Sequence, residues 1–286
     1  MSKLEGDWKF EVVEEMGAAF GLKIRKKLHD ETSPWQHLEV YETERWGNLM
    51  VLDDVFMLSS LENYLYHEMM SHPALFTHPD PKTVVIIGGG DCGTLREVLK
   101  HPEVESVTQI DIDEAVTRAA ERFFPELCES NGDARATLIF DDGVKWMREA
   151  ASASVDVIIV DSTDPIGPGT GLFGKDFIAD CHRVLKAGGI MVGQSESPFY
   201  HMEILKNYHR AMIAAGFTDR RSLLFPQPVY PGGSITCTLA SKGLALDCFR
   251  EADAAAKVFK TRYYNVEIHR GALAQPEFMK EALGSL

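Results

Sequence analysis

Two kinds of hydrophobic pattern divide the chain. Up to about residue 60, apolar and polar positions alternate in the short segments GLKIRKKL, HLEVYETE and NLMVLDDVFML, with turn-forming pairs such as Ser33-Pro34 and Asp53-Asp54 between or within them. Alternation with a period of two predicts antiparallel strands and hairpins. A sheet this small needs a neighbour to cover one of its faces. We therefore predict a small amino-terminal β domain at 1–60 that packs against the rest of the chain or against a second subunit.

From residue 61 onward, apolar runs without alternation are separated by segments with helical periodicity. A helix is predicted at 61–76, and buried strands are predicted at 84–87, 107–112, 136–140, 155–160, 190–194 and 235–239. Further helices are predicted at 114–128, from 144, at 174–186, 202–217 and 245–258, with a short one at the carboxyl end. Strands that alternate with helices indicate an α/β fold. The prediction for 61–286 is a doubly wound, mostly parallel sheet.

The segment KTVVIIGGGDCGTLREVLK, residues 82–100, lies at the centre of this predicted domain. Its glycines at 88–90 allow a sharp turn and close approach of a ligand, and the helix predicted from Thr94 directs free N–H groups there. Asp111 ends the next strand, where a carboxylate can bind two ribose hydroxyls. This pattern fits the methyltransferase-like Rossmann type and, through Gly88, Gly90 and Gly93, also the dinucleotide fingerprint. Asp91 would repel a pyrophosphate and favours a cationic ligand group.

Acidic residues follow the predicted strands at the same edge of the sheet: Asp91, Asp111, Asp142, Asp161 and Asp164. Ligands of such sheets bind at the carboxyl ends of the strands. Clustered carboxylates raise one another's pKa values unless a cation binds among them. Mg²⁺ would need a phosphate substrate, and no lysine follows the glycines as in a P-loop. A polyamine or a sulfonium compound fits the cluster better.

Composition narrows the class of protein. The 286 residues are 45% hydrophobic and 25% charged, with a net charge of −14, which argues against a nucleic-acid partner. The apolar runs TVVII and VDVIIV are far too short to span a bilayer, so no membrane partner is expected and the cytoplasm is the default location. Five widely spaced cysteines suggest neither a disulfide framework nor a metal site. His67 and His72 are spaced i, i+5, which disfavours zinc binding of the HExxH kind.

Several motifs together resemble the spermidine synthases, the aminopropyltransferases of polyamine synthesis. They are YHEM at 66–69, GGGDCGTLREVLKH at 88–101, DID at 111–113, DDG at 141–143, DSTDPIGP at 161–168 and PVYPGG at 228–233. The resemblance extends over nearly the whole chain. Departures from the family pattern are Cys92 in place of a common glycine, Asp111 in place of a common glutamate, and the glycines of GTG at 169–171.

The resemblance implies a reaction and a set of site residues. The aminopropyl group of decarboxylated S-adenosylmethionine would pass to putrescine and give spermidine and methylthioadenosine, with Asp161 as the catalytic acid-base residue. The cosubstrate would be bound by Gln36, Asp91, Asp111, Asp142, Gly143 and Pro168. The diamine would be bound by Tyr66, His67, Asp91, Asp161, Ser162, Thr163, Asp164 and Tyr230. The family further implies no metal, no cofactor besides this cosubstrate, and a homodimer or homotetramer.

Other functions remain open at this point. An S-adenosylmethionine-dependent methyltransferase and an NAD-dependent dehydrogenase could both use such a sheet and glycine turn. Asp91 disfavours the methyltransferase, because ordinary S-adenosylmethionine would bring a carboxylate toward it, and it disfavours the dehydrogenase because of the pyrophosphate. A non-catalytic nucleoside-binding module is disfavoured by Asp161 and Asp164.

Overall fold

The amino-terminal part of the chain folds into an antiparallel sheet. The computed structural model of the protein describes residues 4–164, 167–284 and 286, with the backbone alone at 167–168. Within these residues the first sheet has five strands in sequential order, and a short 3-10 helix, Glu14–Met16, links the first two. The strands are β1 Trp8–Val13, β2 Ala18–Thr32, β3 His37–Thr43, β4 Asn48–Leu52 and β5 Val55–Ser59. The prediction of antiparallel strands in this region is confirmed.

The second sheet holds seven strands in the described part of the chain, in the order β11-β12-β10-β9-β6-β7-β8. Its strands are β6 Thr83–Gly88, β7 Ser106–Asp111, β8 Ala136–Phe140, β9 Val155–Asp161, β10 Leu185–Gln194, β11 Asp219–Pro226 and β12 Ser234–Ser241. The five strands from β8 to β10 run parallel, whereas β12 pairs antiparallel with both β10 and β11. The predicted doubly wound, mostly parallel sheet of an α/β protein is confirmed.

Helices cover both faces of this sheet. They are α1 Tyr64–Thr77, α2 Gly93–Leu99, α3 Glu114–Phe123, α4 Gly143–Glu149, α5 Lys175–Val184, α6 Met202–Ala215, α7 Glu251–Ala255, α8 Val266–Leu273 and α9 Glu277–Leu283, and a 3-10 helix spans Gly167–Phe173. In β6, Val84 and Ile86 pack into one core cluster, whereas Val85 and Ile87 pack into the cluster on the opposite face. A strand covered on both sides has no polar face, which explains its apolar run.

The small sheet packs against the large domain, as one of the two predicted arrangements requires. Leu38, Val40 and Met50 of the sheet share a core cluster with Ala120 of α3 and with Phe124. This contact places β3 and β4 beside the edge of the large sheet where β6 and β7 end. Among the residues that the structure describes, no helix combines the length and the hydropathy that a bilayer crossing requires.

Several predicted elements differ from those observed. Strands β1 and β11 were not predicted, and β11 begins with the charged triplet Asp219–Arg221, which hides its strand character. The helix predicted at 245–258 is wrong over most of its length, because α7 covers only Glu251–Ala255. Arg250 explains this, since its side chain binds the carbonyl oxygens of Leu75 and His78 near the end of α1 and holds the preceding segment outside a helix.

Smaller errors concern boundaries. Helix α3 ends at Phe123 rather than at residue 128, because Pro125 disfavours helical geometry at the residue before it. Helix α2 begins at Gly93, one residue before the predicted Thr94, and β10 begins at Leu185 rather than at residue 190. The single short helix predicted at the carboxyl end is a pair, α8 and α9.

Candidate active site

A deep cavity lies at the carboxyl ends of β6, β7 and β9, under the edge of the small sheet. It brings together most of the residues predicted from the sequence, from elements far apart in the chain. The predicted residues that line it are Gln36, Tyr66, His67, Asp91, Asp111, Asp142, Gly143, Asp161, Ser162, Thr163 and Tyr230. Asp164 lines a second, outer cavity that adjoins this one. The side chain of Pro168 lies outside the described part of the structure.

The glycine turn after β6 lies directly against Asp161. Gly88 and Gly89 have φ values of 82° and 70°, a region that residues with a Cβ rarely adopt. A Cβ at position 88 would overlap the carbonyl oxygen of Asp161. That oxygen instead accepts a hydrogen bond of 2.8 Å from the Gly89 amide. The glycines therefore allow β6 to turn while it touches the end of β9, which fixes the position of Asp161 in the cavity wall.

Asp161 is a buried carboxylate with a hydrogen-bond donor on each oxygen. The Tyr66 hydroxyl donates to Oδ1 over 2.9 Å, and the Thr94 hydroxyl donates to Oδ2 over 2.5 Å. Burial, together with the negative charge of Asp91, raises the pKa of Asp161 to about 6, although the two hydroxyls oppose this rise. A carboxylate with such a pKa is ionised at neutral pH and still basic enough to accept a proton from a substrate.

His67 and Asp91 form a buried ion pair beside Asp161. His67 Nε2 lies 3.1 Å from Asp91 Oδ1, and the same oxygen accepts a 2.7 Å hydrogen bond from the Gly93 amide. Burial alone would lower the pKa of His67, but the charge of Asp91 outweighs it and the pKa rises. Burial would raise the pKa of Asp91, yet His67 and the Gly93 amide lower it. Asp91 is therefore an anion with His67 as its internal counter-ion.

Gly93 is required by this pair. A Cβ at position 93 would overlap the imidazole ring of His67. The ring packs on the first turn of α2, and its Nδ1 is buried without a hydrogen-bond partner among the described residues. His67 thus contacts Asp91 through one nitrogen and leaves the other for a ligand or for a bound water.

A second group of side chains in the cavity suits a nucleoside. Asp111 ends β7, and burial raises its pKa to about 7. Gln36 reaches the same region from the small sheet and donates a 2.9 Å hydrogen bond to Asp113, which also caps α3. Asp142 caps α4 by accepting from the amides of residues 144 and 145. Apolar side chains surround these polar groups, namely Met50, Leu52, Ile110, Ile112, Val116, Val144 and Leu172. In such an arrangement a carboxylate can bind the ribose hydroxyls, and the apolar side chains can pack against an aromatic base.

The outer cavity has a volume of about 680 Å³ and adjoins the inner one. Met57, Ser162, Thr163 and Tyr230 line both cavities. The Tyr230 hydroxyl donates to the Met57 carbonyl oxygen over 2.8 Å, which fixes its ring in the shared wall. The acids of the outer cavity include Asp164, whose pKa is raised to about 7 by burial and by Glu196, and Glu11, whose pKa is raised to about 7 by burial. A cationic chain could extend from Asp161 along this acidic wall.

Sequence reasoning missed Thr94, Glu11 and Glu196. Thr94 could have been found, since the first turn of a helix after the glycine turn must face the end of β9. Glu196 follows the end of β10, so the rule that places ligands at the carboxyl ends of strands also applies to it. Glu11 lies on β1, which was not predicted, and no signal in the sequence connects it to the cavity.

Comparisons with known proteins match both parts of the chain. A family model described as the spermine/spermidine synthase domain matches residues 63–250, and one described as the spermidine synthase tetramerisation domain matches residues 8–60. The chain is 58% identical to the polyamine aminopropyltransferase of Methylococcus capsulatus over 98% of both chains. It is equally identical to the polyamine aminopropyltransferase of Alkalilimnicola ehrlichii, over 98% of each chain.

Solved structures agree with these sequence matches. A crystal structure of a spermidine synthase in complex with the transition-state analogue AdoDATO superposes with a TM-score of 0.94 at 33% identity, covering 100% of this chain and 99% of the other. The spermidine synthase of Thermotoga maritima superposes with a TM-score of 0.92 at 33% identity, covering 100% of this chain and 98% of the other.

Proposed function

Because the chain belongs to the spermine/spermidine synthase family, we propose that it transfers the aminopropyl group of decarboxylated S-adenosylmethionine to putrescine. The protein is a transferase of the aminopropyl type, and the products are spermidine and methylthioadenosine. Decarboxylated S-adenosylmethionine is consumed as a cosubstrate and is not a cofactor. The observation that carries the proposal is the buried Asp161 carboxylate, which Tyr66 and Thr94 hold in the inner cavity, next in sequence to Ser162 and Thr163, which line both cavities.

The reaction is a displacement at carbon. The nitrogen lone pair of the diamine attacks the methylene carbon bonded to the sulfonium sulfur, and the C–S electron pair returns to sulfur as methylthioadenosine leaves. The attacking nitrogen must lose a proton, yet an alkyl amine has a pKa near 10 and is almost wholly protonated at neutral pH. A base beside the nucleophile is therefore required.

Asp161 is the proposed base. Its pKa of about 6 lets it hold a proton transiently and release it to water after the product leaves. Tyr66 and Thr94 fix both carboxylate oxygens, so that a nitrogen atom brought to Asp161 meets an oriented acceptor. Burial of Tyr66 raises the pKa of its hydroxyl well above the usual value, so it remains a hydrogen-bond donor. His67 assists indirectly, because its positive charge opposes the rise in the pKa of Asp161.

The remaining predicted residues fall into two groups. Asp91 would bind the terminal ammonium of the cosubstrate, while the adenosine part would be bound by Gln36, Asp111, Asp142, Gly143 and Pro168. The diamine would extend past Tyr66, Ser162, Thr163 and Tyr230, with its far ammonium near Asp164. The charges are compatible with this division, because each carboxylate in it would face an ammonium or a hydroxyl of a substrate.

The alternative functions are not favoured. Neither a methyltransferase nor a dehydrogenase explains an acidic outer cavity next to Asp161, and the curated relatives are polyamine aminopropyltransferases. The net charge of −14 supports small cationic substrates rather than nucleic acid. The five cysteines are widely spaced and form no disulfide among the residues that the structure describes, which supports a reducing compartment and makes the cytoplasm the proposed location.

A homodimer or homotetramer is the proposed assembly, formed through the small β domain at 1–60 and leaving the catalytic domain at 61–286 for the chemistry. The match of residues 8–60 to a tetramerisation domain supports it. So does the exposed side of β1, where Phe10 and Val12 are 40% and 56% exposed.

Product analysis tests the proposed reaction. The protein is mixed with putrescine and decarboxylated S-adenosylmethionine, and products are measured by mass spectrometry. Spermidine and methylthioadenosine are expected in equal amounts. Ordinary S-adenosylmethionine serves as the matched control and should give neither product. Methylated putrescine in that control, without any spermidine in the first reaction, would instead support a methyltransferase.

A further inference from the structure

His201 connects the two domains across the outer cavity. It precedes α6, and its Nδ1 lies 2.8 Å from Glu196 Oε2. Its Nε2 lies 3.4 Å from Oε1 of Glu15, which belongs to the 3-10 helix of the small domain. All three side chains line the outer cavity. The histidine therefore bridges an acid from each domain.

This histidine carries a positive charge at neutral pH. A neutral imidazole has one N–H donor, whereas both ring nitrogens of His201 face carboxylate oxygens. Only the imidazolium can donate to both acids. The hydrogen bond with Glu196 accordingly raises the pKa of His201 to about 9. The outer cavity thus contains a cation that belongs to the protein itself.

The position of that cation along the cavity decides its effect. Asp161 lines the inner cavity only, whereas Ser162 and Thr163 line both cavities. Asp164 and His201 line the outer cavity only. Burial and the nearby Glu196 carboxylate raise the pKa of Asp164 to about 7, so a ligand ammonium that arrives at Asp164 would stabilise its ionised form. His201 contacts Glu196, and the negative charge of Asp164 also helps to raise the pKa of His201.

The other acids of the outer cavity each have a partner within the protein, although Glu11 has one on a single oxygen only. Lys9 forms a 2.7 Å ion pair with Asp54, and Asp53 accepts a hydrogen bond from the His37 amide. Glu11 accepts from the Phe56 amide, and burial raises its pKa to about 7. One ammonium can pair with Asp164, whose carboxylate lines this cavity. A further ammonium would meet Glu15 and Glu196 only by displacing His201.

We propose that His201 is a specificity-determining residue that occupies the place of a third ammonium and so restricts the acceptor to diamines. The inference rests on the proposed aminopropyl transfer and deepens it. A triamine acceptor such as spermidine would place its outermost ammonium against the imidazolium, and like charges in a partly buried cavity repel each other. A diamine, whose far ammonium is placed at Asp164, has no third ammonium to bring against the imidazolium, so the repulsion is weaker for it.

Substitution of His201 tests the proposal. His201→Gln removes the charge while it keeps hydrogen-bonding ability, and His201→Lys keeps a charge at the same place. The measurement is kcat/KM for putrescine and for spermidine, at saturating decarboxylated S-adenosylmethionine. The kcat/KM for spermidine divided by that for putrescine should rise about tenfold in His201→Gln. It should stay near the parent value in His201→Lys.

A control and a second variant complete the test. Lys206→Gln removes a cation from α6, the helix that His201 precedes; Lys206 pairs with Glu203 and lines neither cavity, so this change should leave the ratio unchanged. Glu15→Gln changes an exposed side chain and removes one of the two carboxylates that neutralise His201. The imidazolium should then repel a third ammonium more strongly, so the kcat/KM ratio of spermidine to putrescine should fall. An unchanged ratio in His201→Gln and in Glu15→Gln, with putrescine still consumed, would overturn the role of His201. Failure of the parent to aminopropylate putrescine would overturn the proposed function instead.

Discussion

Thr94 offers a quantitative test of how the site sets the basicity of Asp161. The Thr94 hydroxyl donates the shorter of the two hydroxyl hydrogen bonds to this carboxylate, 2.5 Å to Oδ2, and the threonine is fully buried. Thr94→Val keeps the shape of the side chain and removes the donor. Since the hydrogen bond stabilises the ionised form, its loss should raise the pKa of Asp161.

The size of the shift follows from the strength of such a bond. A hydrogen bond to a charged group contributes about 1.5–3 kcal/mol, and one pKa unit corresponds to about 1.4 kcal/mol. The pKa of Asp161 should therefore rise from about 6 to roughly 7–8 in Thr94→Val. A base with a raised pKa is more fully protonated at neutral pH. At pH 7 the ionised fraction, and with it kcat/KM for the diamine, should fall by a factor of about two to ten.

The assay is the pH profile of kcat/KM for putrescine, expressed as the ratio of variant to parent at each pH. Protonation of the amine substrate affects both proteins equally and cancels in this ratio. The ratio should be lowest at acidic pH and recover toward one above pH 8.5, with Thr94→Ser, which keeps the hydroxyl, close to the parent throughout. A ratio that is low but independent of pH would refute the reasoning, because it would mean that Thr94 acts only through packing.

Two further predictions concern the ion pair beside Asp161. Asp91→Asn should weaken binding of decarboxylated S-adenosylmethionine about tenfold and reduce the difference in affinity between this form and ordinary S-adenosylmethionine. The reason is that the Asp91 carboxylate attracts the ammonium of the decarboxylated form and repels the extra carboxylate of the ordinary form. Calorimetry that shows equal affinity of the parent protein for both forms would contradict this prediction. Gly93→Ala should lower the free energy of unfolding by about 1–3 kcal/mol, measured by urea denaturation, because the new methyl group overlaps the ring of His67. Unchanged stability of Gly93→Ala would show that the ring can move without cost.

The centre of the large sheet was predictable because its strands are buried on both faces. The strands β6, β9 and β10 contribute alternate residues to opposite cores, so the sequence carries apolar runs that can be recognised without knowledge of the neighbouring strands. The site residues at the ends of β6, β7 and β9 followed from that prediction, because the carboxyl ends of parallel strands meet at one edge. Asp111 and Asp161 were located in this way.

Contacts between distant segments were not predictable from local patterns. Thr94 and Asp161 are 67 positions apart, and the hydrogen bond between them depends on how closely the glycine turn approaches β9. The outer cavity depends on β1 and on the segment after β10, which meet only because the small sheet packs over the large one. Its acids, Glu11 and Glu196, have no common sequence signature. The start of α7 was also not predictable, because it is determined by contacts of Arg250 with residues near the end of α1.

The most direct test of the account is single-turnover kinetics of Asp161→Asn. With enzyme in excess over decarboxylated S-adenosylmethionine and putrescine saturating, the rate of methylthioadenosine formation reports the chemical step. Loss of a positioned base should slow that step by about 10²- to 10⁴-fold, while calorimetry shows cosubstrate affinity close to that of the parent. A variant that forms methylthioadenosine and spermidine at the parent rate would contradict the central claim that Asp161 accepts the proton of the attacking amine.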